Sequence, residues 1–186
     1  MNSTSSLRPT LWRTCRVLAH RTRLKICARL LQQPGQTVSA LAGQLKLPLP
    51  VASQYLRALE ARGLLAVRRQ GLRVVYRPSL AAARTPTTEL VRALQWVFRH
   101  QRNPVEVIFK TATAFTHPRR VEIFKALRKE NHSPVQLHAR TGISVPSLYR
   151  HLKKLEARGF VKYREGKWIA VPRSDALSQE LTRLAD

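Results

Sequence analysis

The side chains with the most chemistry to offer in this sequence are cations, and few groups are present to neutralise them. Lys and Arg number 34 against 10 Asp and Glu in 186 residues, a formal net charge of +24, and no acidic residue precedes Glu60. Such an excess goes far beyond what solubility requires and implies a partner with dense negative charge, either nucleic acid or an anionic membrane surface. Seven of the cations fall in two compact groups, Arg68, Arg69, Arg73 and Arg77, then Lys162, Arg164 and Lys167. Each group brackets a glycine, Gly71 or Gly166, within an alternating polar and apolar pattern, so both belong on β-hairpins. Cations presented in that way suit phosphate contact.

Covalent and acid-base chemistry has no comparable set. The acids are scattered, no glycine-rich loop could cradle a phosphate, and neither cysteine nor any serine sits in a nucleophile motif. No catalytic residue, cofactor or metal site is expected, and the chain reads as a binder rather than an enzyme. His20 and His117 recur at helix starts, where capping or phosphate contact is the expected role. His138 overlays Leu41 in the repeat set out below and is expected to be half buried. Cys15 and Cys27 overlay Ala112 and Phe124, so packing is expected, with a thiol switch left open.

Two cysteines give no disulfide framework, which suits a reducing cytoplasm and a nucleoid-associated location. No stretch approaches the ~20 apolar residues of a membrane span. The acid-free, Ser- and Arg-rich opening superficially suits a transit peptide. Residues 1–8 are instead read as a polar tail, because the sequence from Leu11 onward recurs.

The elements that must position the cations come in two copies. "LEARG" occurs at 59–63 and again at 155–159, and an offset of 96 or 97 aligns far more than that pentapeptide. "LAHRTRLKICARLL" lies over "FTHPRRVEIFKALR", and "LPLPVASQYLRALEARGLL" over "ISVPSLYRHLKKLEARGFV". Upstream, Leu11, Cys15 and Leu18 lie over Ile108, Ala112 and Phe115, each set spaced i, i+4, i+7 as one helical face demands.

Each copy then predicts a second helix from "HRTR" or "HPRR" and a third after Thr37 or Ser133-Pro134. A fourth, about Pro50 to Arg62 or Pro146 to Arg158, is stopped by Gly63 or Gly159 and followed by the hairpin. Between the copies Thr85-Pro86 opens a helix with Leu90, Val91, Leu94, Val97 and Phe98 on one face. Asn103-Pro104-Val105-Glu106 reads as cap, first-turn proline and capping-box acid of the next helix, and Ser174 to Leu184 forms a last one. The expected fold is mainly α with small β-hairpins: tandem winged helix-turn-helix domains joined by long helices. The domains are 9–84, an interface helix at 85–102, and 103–186.

These segments resemble the ArsR family of transcriptional repressors. "LAHRTRLKICARLL" and "FTHPRRVEIFKALR" are similar to that family's second-helix start, and the fourth helices and hairpins to its recognition helix and wing, over about 11–78 and 104–172. The resemblance implies double-stranded DNA as partner, with Ser144, Ser147, Tyr149, Arg150, His151, Lys153 and Lys154 on the second reading helix. Arg150 is the best candidate for a bidentate guanine contact. In the first unit Leu49, Pro50 and Val51 stand where the family often presents Gln, Ser or Thr, leaving Ser53, Gln54, Tyr55 and Arg57 as readers. Arg68, Arg69, Arg73, Arg164 and Lys167 of the wings would hold phosphates.

Family members work as homodimers through their first and last helices, which this chain carries in duplicate. The resemblance therefore implies a monomeric pseudodimer with an internal pseudo-twofold, its faces around Leu11, Leu90, Ile108 and Leu181 packed together. Two beads on a helical string is the alternative. Cys-x-Cys and the terminal-helix Asp-x-His pattern of metal-sensing relatives are absent, so a metal effector is not carried over, and a small-molecule effector is left open. The expected function is a sequence-specific regulator, a repressor, on an asymmetric site. An architectural protein that coats DNA by charge is the alternative, and a replication initiator a third.

Overall fold

The computed structural model describes residues 10–80 and 84–185. The expected tail at 1–8 lies outside that range. The first unit runs α1 (Leu11–Leu18), α2 (Arg21–Gln32), β1 (Gln36–Thr37), α3 (Val38–Leu45), α4 (Leu49–Glu60), β2 (Leu65–Gln70) and β3 (Arg73–Pro78). After α5 (Pro86–His100) the series repeats as α6 (Pro104–Ala112), α7 (Pro118–Lys129), α8 (Pro134–Thr141), α9 (Val145–Glu156), β4 (Val161–Arg164) and β5 (Lys167–Ala170), closed by α10 (Ala176–Ala185). The fold is a tandem winged helix-turn-helix. Among the described residues no helix is long and apolar enough to cross a membrane.

Local chemistry explains the boundaries. Thr37 accepts from the Ala40 N–H to cap α3, and Ser133 with Gln136 forms a reciprocal capping box on α8. The α8–α9 turn needs a left-handed residue and has Gly142 (φ 63°), whereas the α3–α4 turn uses Lys46 (φ 52°). α10 begins two residues later than expected because Asp175, not an earlier residue, accepts from the Ser178 N–H at 2.8 Å.

Two features escaped the repeat alignment. β1 adds a third strand to the first wing, with Gln36 opposite Tyr76, and a single bridge between His132 and Trp168 stands in its place in the second unit. The loop before α3 is one residue longer than the loop before α8, so the register changes from 97 to 96 at that point. The buried counterpart of Leu41 is therefore Leu137, and His138 is exposed, its Nδ1 2.8 Å from the Ile143 carbonyl oxygen.

The two units share one core. The second is aromatic, with Phe115, Phe124 and Phe160 in edge contacts at 4.7–5.8 Å, where the first has Leu18, Cys27 and Leu64. Between them α5 packs on α10 and α6, α1 on α6 and α10, α2 on α6 and α1 on α7. Leu11, Leu90, Ile108 and Leu181 are all buried in this seam, in a cluster continuous with both unit cores. Removing each such side chain from water contributes about 1.5–3 kcal/mol.

The expected cap on α6 is not made. Asn103 forms no side-chain cap bond, and Glu106 turns instead to Arg21 on α2, which donates from Nη2 to Oε2 at 2.8 Å and lies over the Phe109 ring. A two-pronged guanidinium contact outweighs a single neutral N–H, so the tertiary partner captures the carboxylate.

Candidate nucleic-acid interface

Each reading helix is held by three buried apolar residues on its inner face. In α9 these are Leu148, Leu152 and Leu155, in α4 Ala52, Leu56 and Leu59. Spacing of i, i+4, i+7 fixes the helix rotation and hence the residues left outside. On α9 the outer face carries Val145, Tyr149, Arg150, Lys153 and Lys154, and on α4 it carries Leu49, Pro50, Gln54 and Arg57.

The structure gathers the α9 residues at a cleft of about 770 Å³ between α7, the α8–α9 turn and α9. Ser144, Ser147, Arg150, His151 and Lys154 line it with His117, Arg119 and Arg120. The Arg150 guanidinium donates to the Ser147 hydroxyl at 3.0 Å, which steadies it along the outer face. Ser144 makes no cap bond, so its hydroxyl is open to an incoming acceptor. Arg119 is the member that the sequence reading missed, although "HPRR" places two arginines in the first turn of α7. Arg120 has a structural task, donating to the Ala114 and Thr113 carbonyls across the α6–α7 connection.

Not every expected reader faces outward alone. His151 is half buried, its ring 4.6 Å from that of His117, and burial together with His117 and the Arg120, Arg150 and Arg119 charges pushes its pKa down to about 4. His117 is lowered too, chiefly by burial and then by Arg120, Arg119 and Arg16, while its Nδ1 accepts from the Arg119 N–H and caps α7. In the first unit Tyr55 takes the place of His151, with its ring 4.9 Å from His20 and below the Arg23 guanidinium. His20 makes no side-chain cap bond. Tyr55 and His151 thus tie each reading helix to the start of the helix behind it. Lys153 is engaged by Glu156 at 2.9 Å, leaving Tyr149, Arg150 and Lys154 as the freer outer groups of α9.

The wings differ more than the helices. β2 and β3 have six residues each and join through Gly71 and Leu72, whereas β4 and β5 have four each and join through Glu165 and Gly166. Arg68, Arg69 and Arg73 are exposed and have no ion-pair partner among the described residues. Arg164 is paired with Glu165 at 3.0 Å, which leaves Lys162 and Lys167 as the unpaired cations there.

The two cysteines lie apart from this surface. Both are free and buried in the shared core, and burial pushes the Cys27 thiol up to about 12 and raises Cys15 as well. Thiolate, the reactive form, is suppressed at both, so packing is the role these surroundings favour over a thiol switch.

A family model described as a helix-turn-helix domain matches the chain twice, over residues 18–68 and 115–164. The first match begins at the end of α1 and the second in the α6–α7 connection, and each ends in the wing of its unit. No curated protein and no solved structure matches it.

Proposed function

Because the chain belongs to the helix-turn-helix domain family through both of its halves and is a DNA-binding protein on that ground, we propose that it is a sequence-specific transcription regulator, a repressor that occupies double-stranded DNA as a single-chain pseudodimer. The observation that carries this reading is the shared seam of α1, α5, α6 and α10, which couples two outward reading helices through one core. Helix-turn-helix dimers place their reading helices in major grooves about one turn, ~34 Å, apart, and a rigid seam is what such a spacing requires. Arg150 reads a guanine edge, Ser144, Ser147 and Lys154 hold the flanking backbone, and Arg68, Arg69, Arg73 and Lys167 neutralise phosphates. With unlike helices in the two units, the site is asymmetric. Repression follows from occupancy of a promoter. No cofactor, metal or catalytic step enters the proposal.

The exposed Leu49 and Pro50 at the front of α4, together with the charge of +24, favour a second reading in which the protein coats DNA with little sequence preference. Selection from a randomised duplex library at low and near-physiological salt separates the two. An asymmetric motif that survives the higher salt supports the regulator; enrichment of nothing, with affinity collapsing as salt rises, supports the coat. Sedimentation at micromolar concentration tests the monomer, and a dimer held by the seam helices would overturn it.

A further inference from the structure

The tip of the first wing carries the most exposed large apolar side chain among the described residues. Leu72 is fully exposed, at a two-residue turn where Gly71 supplies the positive φ of 59°. Only the first residue of this turn has a positive φ, so its second position accepts any side chain, whereas the second wing has positive φ at both Glu165 (51°) and Gly166 (77°) and places an acid at its tip. A leucine there gains nothing from the fold and leaves its whole side chain in water.

Its surroundings indicate where it goes. Strand pairing sets Gln70 opposite Arg73, Arg69 opposite Val74 and Arg68 opposite Val75. Pleat alternation therefore places Arg68, Gln70 and Arg73 on one face and Arg69 on the other, with cations on both sides of the tip. Two extra residues per strand carry this tip about 6–7 Å further out than the second wing would reach. A narrow minor groove concentrates negative potential and draws in arginine, and leucine is among the side chains that wedge between base steps there and kink the duplex. The second wing has an acid at its tip, which that potential repels.

We propose that the first unit engages DNA mainly through its wing, with Leu72 inserted as an apolar wedge in the minor groove between Arg69 and Arg73, so that the protein bends its site on one side only. This rests on the DNA-binding reading above and assigns the blunt front of α4 a secondary part. The second unit selects sequence through α9, and the first adds selectivity for a base step that unstacks easily.

The test uses the full chain and a duplex from the library selection, with 2-aminopurine placed along the half away from the α9 motif and a dye pair at the ends. The unaltered protein is expected to raise 2-aminopurine fluorescence at one step and to bring the duplex ends closer. Leu72→Ala is expected to abolish both signals and weaken binding about tenfold, the low end of what burying one leucine contributes, with the α9 motif still selected. Leu72→Met should keep the bend. A straight duplex under the unaltered protein, or a bend retained by Leu72→Ala, would overturn the wedge while leaving the regulator reading intact. Failure of the unaltered chain to bind any duplex would remove that reading and the wedge with it.

Discussion

The two units superimpose a common plan on unlike parts, and the differences are distributed unevenly. The second unit has an aromatic core of Phe115, Phe124 and Phe160, a reading helix fronted by Ser144 and Ser147, and a short wing whose tip acid engages its own arginine. The first has Leu18, Cys27 and Leu64 in the same core positions, a front of Leu49 and Pro50, and a long wing with three exposed arginines that have no ion-pair partner among the described residues. Total apolar character is kept in both cores, which suffices for the fold, so the surfaces were free to diverge. In a homodimer every change is made twice. One chain with two units can assign major-groove reading to one and backbone or minor-groove contact to the other.

The largest expected effect tests whether the units can be treated apart at all. Leu181→Ala empties a fully buried position in the seam and should cost about 2–5 kcal/mol. Urea unfolding followed by far-ultraviolet dichroism should remain one transition, shifted as a whole, whereas two separated transitions would make the units independent. Next comes the contrast between reading helices. Arg150→Ala should cost about 1–3 kcal/mol and relax preference at one base pair, while Arg57→Ala should weaken binding evenly across sequences. Equal loss of preference in both variants would erase the proposed division.

Salt dependence sharpens the contrast between wings. Arg69→Ala should flatten the slope of log affinity against log salt by ~0.9, and Arg164→Ala by less, because Glu165 already neutralises that arginine. The helix-start stack offers a contrast in pH. His151 binds its proton less readily when folded than when unfolded, so between about pH 6.5 and pH 4 the unfolded chain holds more protons and stability falls as pH drops. Asp and Glu contribute to that trend generally, but His151→Tyr, which copies the first unit, should make the fall shallower as read from urea midpoints. The smallest effect is expected at the exposed Arg21 and Glu106 pair. Glu106→Gln should lower the thermal midpoint only slightly, and added salt should remove the difference.

Much of this was legible in the sequence because it depends on local rules. Period-3.6 faces, Thr37, Ser133 and Thr85 as caps, and glycines after the reading helices set the order of the ten described helices and the bounds of α4 and α9 to within two residues, and placed α10 with a start two residues early. The candidate readers on α4 and α9 came instead from the resemblance to the ArsR family, carried over position by position. β1 escaped because a two-residue strand has no period of its own and exists only through its partner β3. Arg119 escaped because its place in the cleft depends on how α7 packs beside α9. His138 was misplaced because the extra residue lies in the loop before α3, so the offset is already 96 on that helix and not the 97 that paired His138 with Leu41.

The repeated pentapeptide marks the boundary between the two kinds of information. By itself the sequence determined that "LEARG" ends a reading helix twice, since the leucine faces inward at helical spacing and the glycine takes the left-handed turn in both copies, at φ 68° and 75°. Tertiary structure decided what the identical arginines do. Arg158 donates to the Thr113 hydroxyl at 2.7 Å, and the position equivalent to Thr113 in the first unit is Arg16, a cation that cannot accept. Periodicity and turn chemistry are written within a few neighbouring residues, whereas the partner of a long side chain is set by which distant element packs beside it.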